Sequence, residues 1–164
     1  MILDSPSVAR VRQALMDAGM APDIVELPGA ARTAKDAARF LGCEVAQIAN
    51  SLVFRTASGE PLLVMSSGAR RVDLGRLAEI VGEPVAKADA DFVRKATGFA
   101  IGGVPPLGHA APLRTLVEES LAAYRELWAA AGHPHTVFRL SYPELLRITG
   151  GVAVQAAARI TPER

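Results

Sequence analysis

Five positions, Gly102-Gly103-Val104-Pro105-Pro106, combine unusual backbone freedom with unusual rigidity, and they are the strongest candidates for chemistry in this chain. Two glycines let a backbone approach a ligand closely, while two prolines fix its path and remove amide donors that would compete. Such a segment can offer the N–H groups of Gly103 and Val104 to a carbonyl or an oxyanion, where one well-placed donor contributes roughly 2.7–4 kcal/mol in a transition state. The same composition also makes an ordinary tight turn between strands. Side-chain machinery is sparse: there is no Gly-x-Ser-x-Gly elbow, no phosphate loop ending in Gly-Lys-Ser/Thr, no His-Glu-x-x-His and no cysteine pair.

Three histidines and one cysteine remain. In Gly132-His133-Pro134-His135-Thr136 the two imidazoles would point the same way from an extended strand and share a metal, or they would decorate a polar turn. His109 is the third imidazole and no acidic cluster is close in sequence, so the donor set falls short of a metal site, and no metal or cofactor is expected. Cys43 follows a helix-ending glycine with no neighbouring cation to lower its pKa, which reads as a small core residue.

The elements that must position these residues follow from caps and apolar spacing. Ser5-Pro6 opens a helix with Val8, Val11 and Leu15 on one face and Gly19 at its end. Ile24–Leu27 predicts a short strand, and Thr33 caps a helix bearing Ala37, Phe40 and Leu41 that closes at Gly42. Residues 51–55 and 61–65 are apolar runs separated by a turn-rich gap, the pattern of an antiparallel hairpin. Asp73 starts a helix with Leu74, Leu77 and Ile80 along one side, and Asp89 starts another with Phe92, Val93 and Ala96. Phe99–Ile101 reads as strand-like and Leu113–Val117 as a strand. Residues 121–131 have high helix propensity. Ser141-x-x-Glu144 has capping-box spacing for a last helix ending near Gly150.

Half of the 164 residues are apolar, which suits one α/β domain with a substantial core; the expected domain spans residues 1–155, followed by a loose tail over 156–164. Eighteen Lys and Arg against 17 Asp and Glu leave a net charge of +1, so any nucleic-acid contact must be local. Arg70, Arg71 and Lys87 are the cations expected to meet phosphates, with Arg94 and Lys95 beside them. The stretch Phe99–Leu113 lacks charged residues but is shorter than the ~20 apolar residues of a membrane span and is broken by Gly and Pro. A single cysteine and an acidic residue, Asp4, near the start predict a cytoplasmic protein without disulfides.

In order along the chain, Thr33…Ala37-Ala38…Leu41-Gly42, Gln47-Ile48-Ala49-Asn50-Ser51-Leu52-Val53-Phe54, Gly102-x-x-x-Pro106 and Trp128…Gly132-His133-Pro134-His135 resemble the YbaK and prolyl-tRNA-editing aminoacyl-tRNA deacylases. The resemblance covers nearly the whole chain, and Gly102-x-x-x-Pro106 is its most specific piece. It implies an α/β (α+β) fold with a curved, mostly antiparallel mixed sheet surrounded by helices, and it turns residues 126–131 into a strand paired with 136–140, against their helix propensity. It implies hydrolysis of a wrongly attached small amino acid from transfer RNA, with Ala-, 2-aminobutyryl- or Cys-tRNA(Pro) as substrate and transient contact with prolyl-tRNA synthetase. The loop Gly102, Gly103, Val104 and Pro106 then does the catalytic work through its backbone. Asn50, Thr33, Phe99, Met65, Gly132, His133 and Thr136 would contact substrate. Where the family commonly carries a lysine before Ser-Leu-Val-Phe, this chain has Asn50, which keeps hydrogen-bonding capacity but loses a cation and its reach.

Overall fold

Local capping chemistry sets the helix ends in the computed structural model, which describes residues 2–157. Helix α1 (Pro6–Asp17) starts at Ser5, whose side chain accepts from the Val8 N–H, and buries Val8, Val11 and Leu15 as the spacing requires. Thr33, Asp73 and Asp89 cap α2 (Ala34–Leu41), α3 (Leu74–Val81) and α4 (Ala90–Thr97) in the same way, and left-handed Gly42, Gly82 and Gly98 end them. A reciprocal capping box between Ser141 and Glu144 opens α5 (Tyr142–Thr149). In α3 only Leu77 is buried; Leu74 and Ile80 face solvent, because a helix of two turns against a sheet edge hides one row of side chains.

Among the described residues eight strands form one sheet: β1 (Ile24–Glu26), β2 (Ile48–Thr56), β3 (Pro61–Ser67), β4 (Val85–Lys87), β5 (Arg114–Glu118), β6 (Leu127–Ala130), β7 (Thr136–Leu140) and β8 (Val152–Val154). Their order is β1-β7-β6-β2-β3-β5-β8, with β4 joining β2 beside β6. The sheet is mixed. β2–β3, β6–β7, β1–β7 and β2–β4 are antiparallel, whereas β2–β6, β3–β5 and β5–β8 are parallel. Its two faces carry separate cores: α1, α4 and α5 cover one through Val11, Leu15, Val93 and Leu145, and α2 and α3 cover the other through Ala37, Ala38 and Leu77. Among the described residues no helix is long and apolar enough to cross a membrane.

Two expectations are corrected here, and one conflict between propensity and resemblance is resolved. Phe99–Ile101 is not a strand: the Thr97 hydroxyl accepts from the Phe99 N–H at 3.0 Å, and the Gly103 N–H donates to the Ala100 carbonyl at 3.0 Å, so a local turn uses groups that a strand would need. Residues 127–130 are strand paired with 137–140, as the resemblance implied and against their helix propensity, with Leu127 and Ala129 buried and their neighbours half-buried. The ordered chain also runs past residue 155, because Ala156 and Ala157 are buried and their N–H groups both donate to the Glu118 carboxylate, at 2.8 and 2.9 Å. The remainder of the expected tail, 158–164, lies outside the described residues.

Glu118 is itself buried, so its loss strands two amides at the sheet's end. Glu118→Ala should cost about 2–3 kcal/mol and lower the Tm by roughly 5–10 °C. Glu118→Gln, which keeps a carbonyl acceptor, should lose less than half as much; thermal melts of the three proteins check the order.

Candidate active site

The site begins with an interruption in the sheet. Along one side β2 pairs with β3 from Ala49 to Arg55 without a break. On the other side it pairs with β6 only at Ile48 and Ala49, and with β4 only from Phe54 to Thr56, supplemented by the Ala88 N–H on the Val53 carbonyl at 3.3 Å. Residues 50–52 therefore face no strand there. The Gly68 N–H bonds the Ile48 carbonyl and the Thr56 N–H bonds the Glu60 carbonyl, so even-numbered positions of β2 spend their backbone groups on β3. Alternation then turns the N–H and carbonyl of Ser51 into the gap.

The loop after α4 lies across this gap. Ile101, Gly102 and Val104 join Asn50, Ser51 and Leu52 around a cavity of about 240 Å³, closed on its other sides by Thr33, Trp128, Pro134 and Thr136 and by alanines of α2 and β6. A smaller apolar chamber of about 130 Å³ adjoins it, sharing Ser51, Leu52, Ile101 and Val104 and opening towards Lys87.

Each glycine of the loop has its own reason. Gly102 has φ +88, a conformation that costs an L side chain about 1–2 kcal/mol. A Cβ on Gly103 would sit 2.9 Å from the Cα and N of His133, so Gly103 lets the loop press against the turn between β6 and β7. That turn is pressed in its own right under α1, where a Cβ on Gly132 would meet the Ser7 carbonyl at 2.8 Å. The base of the loop is closed by the Ala110 N–H on the Thr97 carbonyl at 3.0 Å, and inside it His109 Nε2 lies 2.7 Å from the Pro105 carbonyl.

Of the residues singled out in the sequence, Gly102, Val104, Asn50, Thr33 and Thr136 meet at the cavity. Gly103 does not line it, and its N–H is consumed by Ala100, which corrects the expectation that this amide is on offer. The N–H groups of Gly102 and Val104, by contrast, meet no acceptor among the described residues. Pro106 is buried against a separate surface hollow with Leu107 and Thr149. Phe99 and Met65 are core residues, 1% and 0% exposed, that back the loop and β2 without reaching the cavity. Gly132 and His133 stay behind Pro134 and Thr136, and His133 Nδ1 accepts from the His135 N–H at 3.0 Å, so the pair forms the polar turn and not a strand-mounted metal site. Among the proposed phosphate contacts, Lys87 adjoins the site, Arg70 lines a different hollow beside Arg76 and Glu118, and Arg71 is exposed.

Arg32, Ile101, Trp128 and Pro134 were missed. Trp128 is the chain's one tryptophan and Arg32 directly precedes a helix cap, signals that mark surface contact without saying with what. Burial pushes the Cys43 thiol up, away from reactive thiolate.

No His, Cys, Asp, Glu, Lys or Tyr lines the cavity among the described residues. Its three hydroxyls are engaged: Thr33 caps α2, Ser51 donates to Met65 Sδ at 3.4 Å, and Thr136 donates to the His133 carbonyl at 3.1 Å. No nucleophile stands beside a base, so the arrangement can hold, polarise and exclude, and it suits a bond that is already labile.

The chain is similar to known proteins over most of its length. Residues 29–148 match the family described as the aminoacyl-tRNA editing domain. A crystal structure of a proposed trans-editing enzyme for prolyl-tRNA synthetase is 46% identical, with a TM-score of 0.89 over 94% of this chain and 99% of that one. A scaffold for computational epitope backbone grafting is 44% identical, with the same TM-score of 0.89 and the same 94% and 99% coverage. The uncharacterized protein YwhH of Bacillus subtilis (strain 168) is 27% identical over 123 residues, 75% of this chain and 78% of its own. With residues 29–148, most of its length, matched in this way, the chain belongs to the aminoacyl-tRNA editing domain family.

Proposed function

We propose that this protein hydrolyses the ester linking a wrongly attached small amino acid to transfer RNA, with alanyl-, 2-aminobutyryl- and cysteinyl-tRNA(Pro) as substrates. The observation that carries this reading is the cavity in the sheet gap, bordered by the unengaged N–H groups of Gly102 and Val104 and by the unpaired Ser51 backbone, with no side-chain nucleophile in reach. An aminoacyl ester needs no more than this: water attacks the carbonyl, main-chain donors take up the charge that grows on its oxygen, and the vicinal ribose hydroxyl of the substrate relays the proton. The 46% identical relative, described as acting for prolyl-tRNA synthetase, supports proline transfer RNA as the carrier and that synthetase as a transient partner.

Selectivity falls to the shape of the cavity wall. At about 240 Å³ the cavity is below the ~300–1,000 Å³ of ordinary ligand pockets. A synthetase pocket discriminates one methylene by only about 1–3 kcal/mol, so a second site whose walls admit alanine and turn proline away corrects what the first accepts. The side chain of Asn50 has no hydrogen-bond partner among the described residues and lines the cavity, free to hold the substrate's terminus in place of the family's lysine. Lys87 beside the site, with Arg70 and Arg71 farther off, offers few phosphate contacts, so binding should be weak and salt-sensitive. A cytoplasmic location fits a substrate made during translation.

Purified protein should release alanine, 2-aminobutyrate or cysteine from mischarged tRNA(Pro) well above buffer while sparing prolyl-tRNA(Pro). Absence of ester loss for all three species, with equal binding of charged and uncharged tRNA, would instead identify a binding module. Gly102→Ala should lower kcat on the order of a hundredfold, the effect of one misplaced donor, while the Tm drops by only about 2–8 °C. Asn50→Ala should weaken kcat/KM by roughly two- to tenfold, the worth of one hydrogen bond.

A further inference from the structure

His109 takes no part in the chemistry above and does not line the cavity, yet its ring meets both arms of the loop that does. Its ring stands edge-on to Phe99, centroids 6.5 Å apart at 85°, on the incoming arm of the loop. On the outgoing arm its Nε2 lies 2.7 Å from the carbonyl of Pro105. A carbonyl only accepts, so the proton sits on Nε2 and the imidazole donates. Burial pushes this histidine below its ordinary range, which keeps one proton on the ring, in the tautomer the Pro105 bond selects.

The partners make this contact more than packing. Phe99 is also held by Arg10, whose guanidinium lies 4.6 Å over the ring face and donates to the Gly98 carbonyl at 2.9 Å. Of the remaining ties of the loop, Gly103 to Ala100 and Ala110 to Thr97 join main chain to main chain, and the Thr97 hydroxyl binds only the incoming arm, at Phe99. His109 is thus the side chain that joins Phe99 before the two glycines to Pro105 after them.

We infer that His109 is a positioning residue for the editing loop, its Nε2–H on the Pro105 carbonyl fixing the orientation in which Gly102 and Val104 present their amides to the cavity. The kinetic consequence rests on the deacylase function proposed above; the structural consequence does not. His109→Phe keeps an aromatic ring against Phe99 and lacks the donor, His109→Leu is a second donor-free variant, and His109→Gln carries an amide N–H near the Nε2 position.

Two readouts on the full chain test the role. Amide hydrogen exchange followed by NMR should show the Gly103 N–H, which reports the turn closed on Ala100, exchanging about tenfold faster in the donor-free variants than in the parent. The β2–β3 amides should be unchanged, and the Gln variant should stay near the parent. With mischarged tRNA(Pro) the donor-free variants should lose about tenfold in kcat with KM within about twofold, and Gln should restore most of kcat. Parent-like Gly103 protection in the donor-free variants overturns the inference, as does a Gln variant that fails as they do. If the parent hydrolyses none of the mischarged species, the proposed function falls, and the exchange measurement by itself decides the positioning role.

Discussion

An unpaired stretch of backbone is the constraint on which this structure turns. Main-chain donors and acceptors buried in a sheet are ordinarily all spent, because leaving one unsatisfied costs as much as a lost hydrogen bond. Here β2 is fully paired on its β3 side and interrupted on the other, where β6 leaves after Ala49 and β4 arrives at Phe54. The interruption is stabilised from both faces of the sheet: α2 packs over Ile48 and Trp128 on one side, and α1 and α4 meet Ala49 and Val53 on the other. What would be a defect in a plain sheet becomes a recess with backbone donors at its wall.

The loop that crosses the recess follows the same logic. Gly103 carries no Cβ because the β6–β7 turn is pressed against it, and Gly102 takes a left-handed conformation next to it. One amide of the run is sacrificed to hold the turn on Ala100, and those on either side remain unspent. A site built in this way owes little to reactive side chains, which limits it to substrates whose bond is activated beforehand and rewards accurate placement over strong chemistry. The small residues around it, Ala34, Ala37, Ala49 and Ala129 among them, let α2 and β6 close down on the cavity and keep it narrow.

Much of the frame was legible along the chain because it is local. Ser5, Thr33, Asp73, Asp89 and Ser141 cap the helices that their spacing announced, and the β2–β3 hairpin forms around its turn-rich gap. Where local signals failed, a distant partner had overridden them. Residues 127–130 favour helix by propensity, but both flanks of β6 are occupied, by β2 and β7, and the pairing wins. Strand β8 is three residues long and exists only because β5 lies beside it. Phe99–Ile101 looked extended, yet hydrogen bonds from Thr97 and Gly103 fold it into a turn.

The site divides in the same way. The sequence by itself determined that a Gly-Gly-x-Pro-Pro segment would make a stiff turn able to approach a ligand, that the familiar nucleophile and metal-ligand motifs were not present, and that the order of motifs resembled an editing deacylase, since all of these are properties of residue type and spacing. Only the tertiary structure decided which amides stay free, that Phe99, Met65 and His133 stand behind the wall of the cavity and not in it, and that Trp128 and Arg32 stand at its edge. The direction of an N–H and the ending of a strand pairing depend on segments dozens of residues apart meeting in space, and no local pattern of side chains records where those meetings stop.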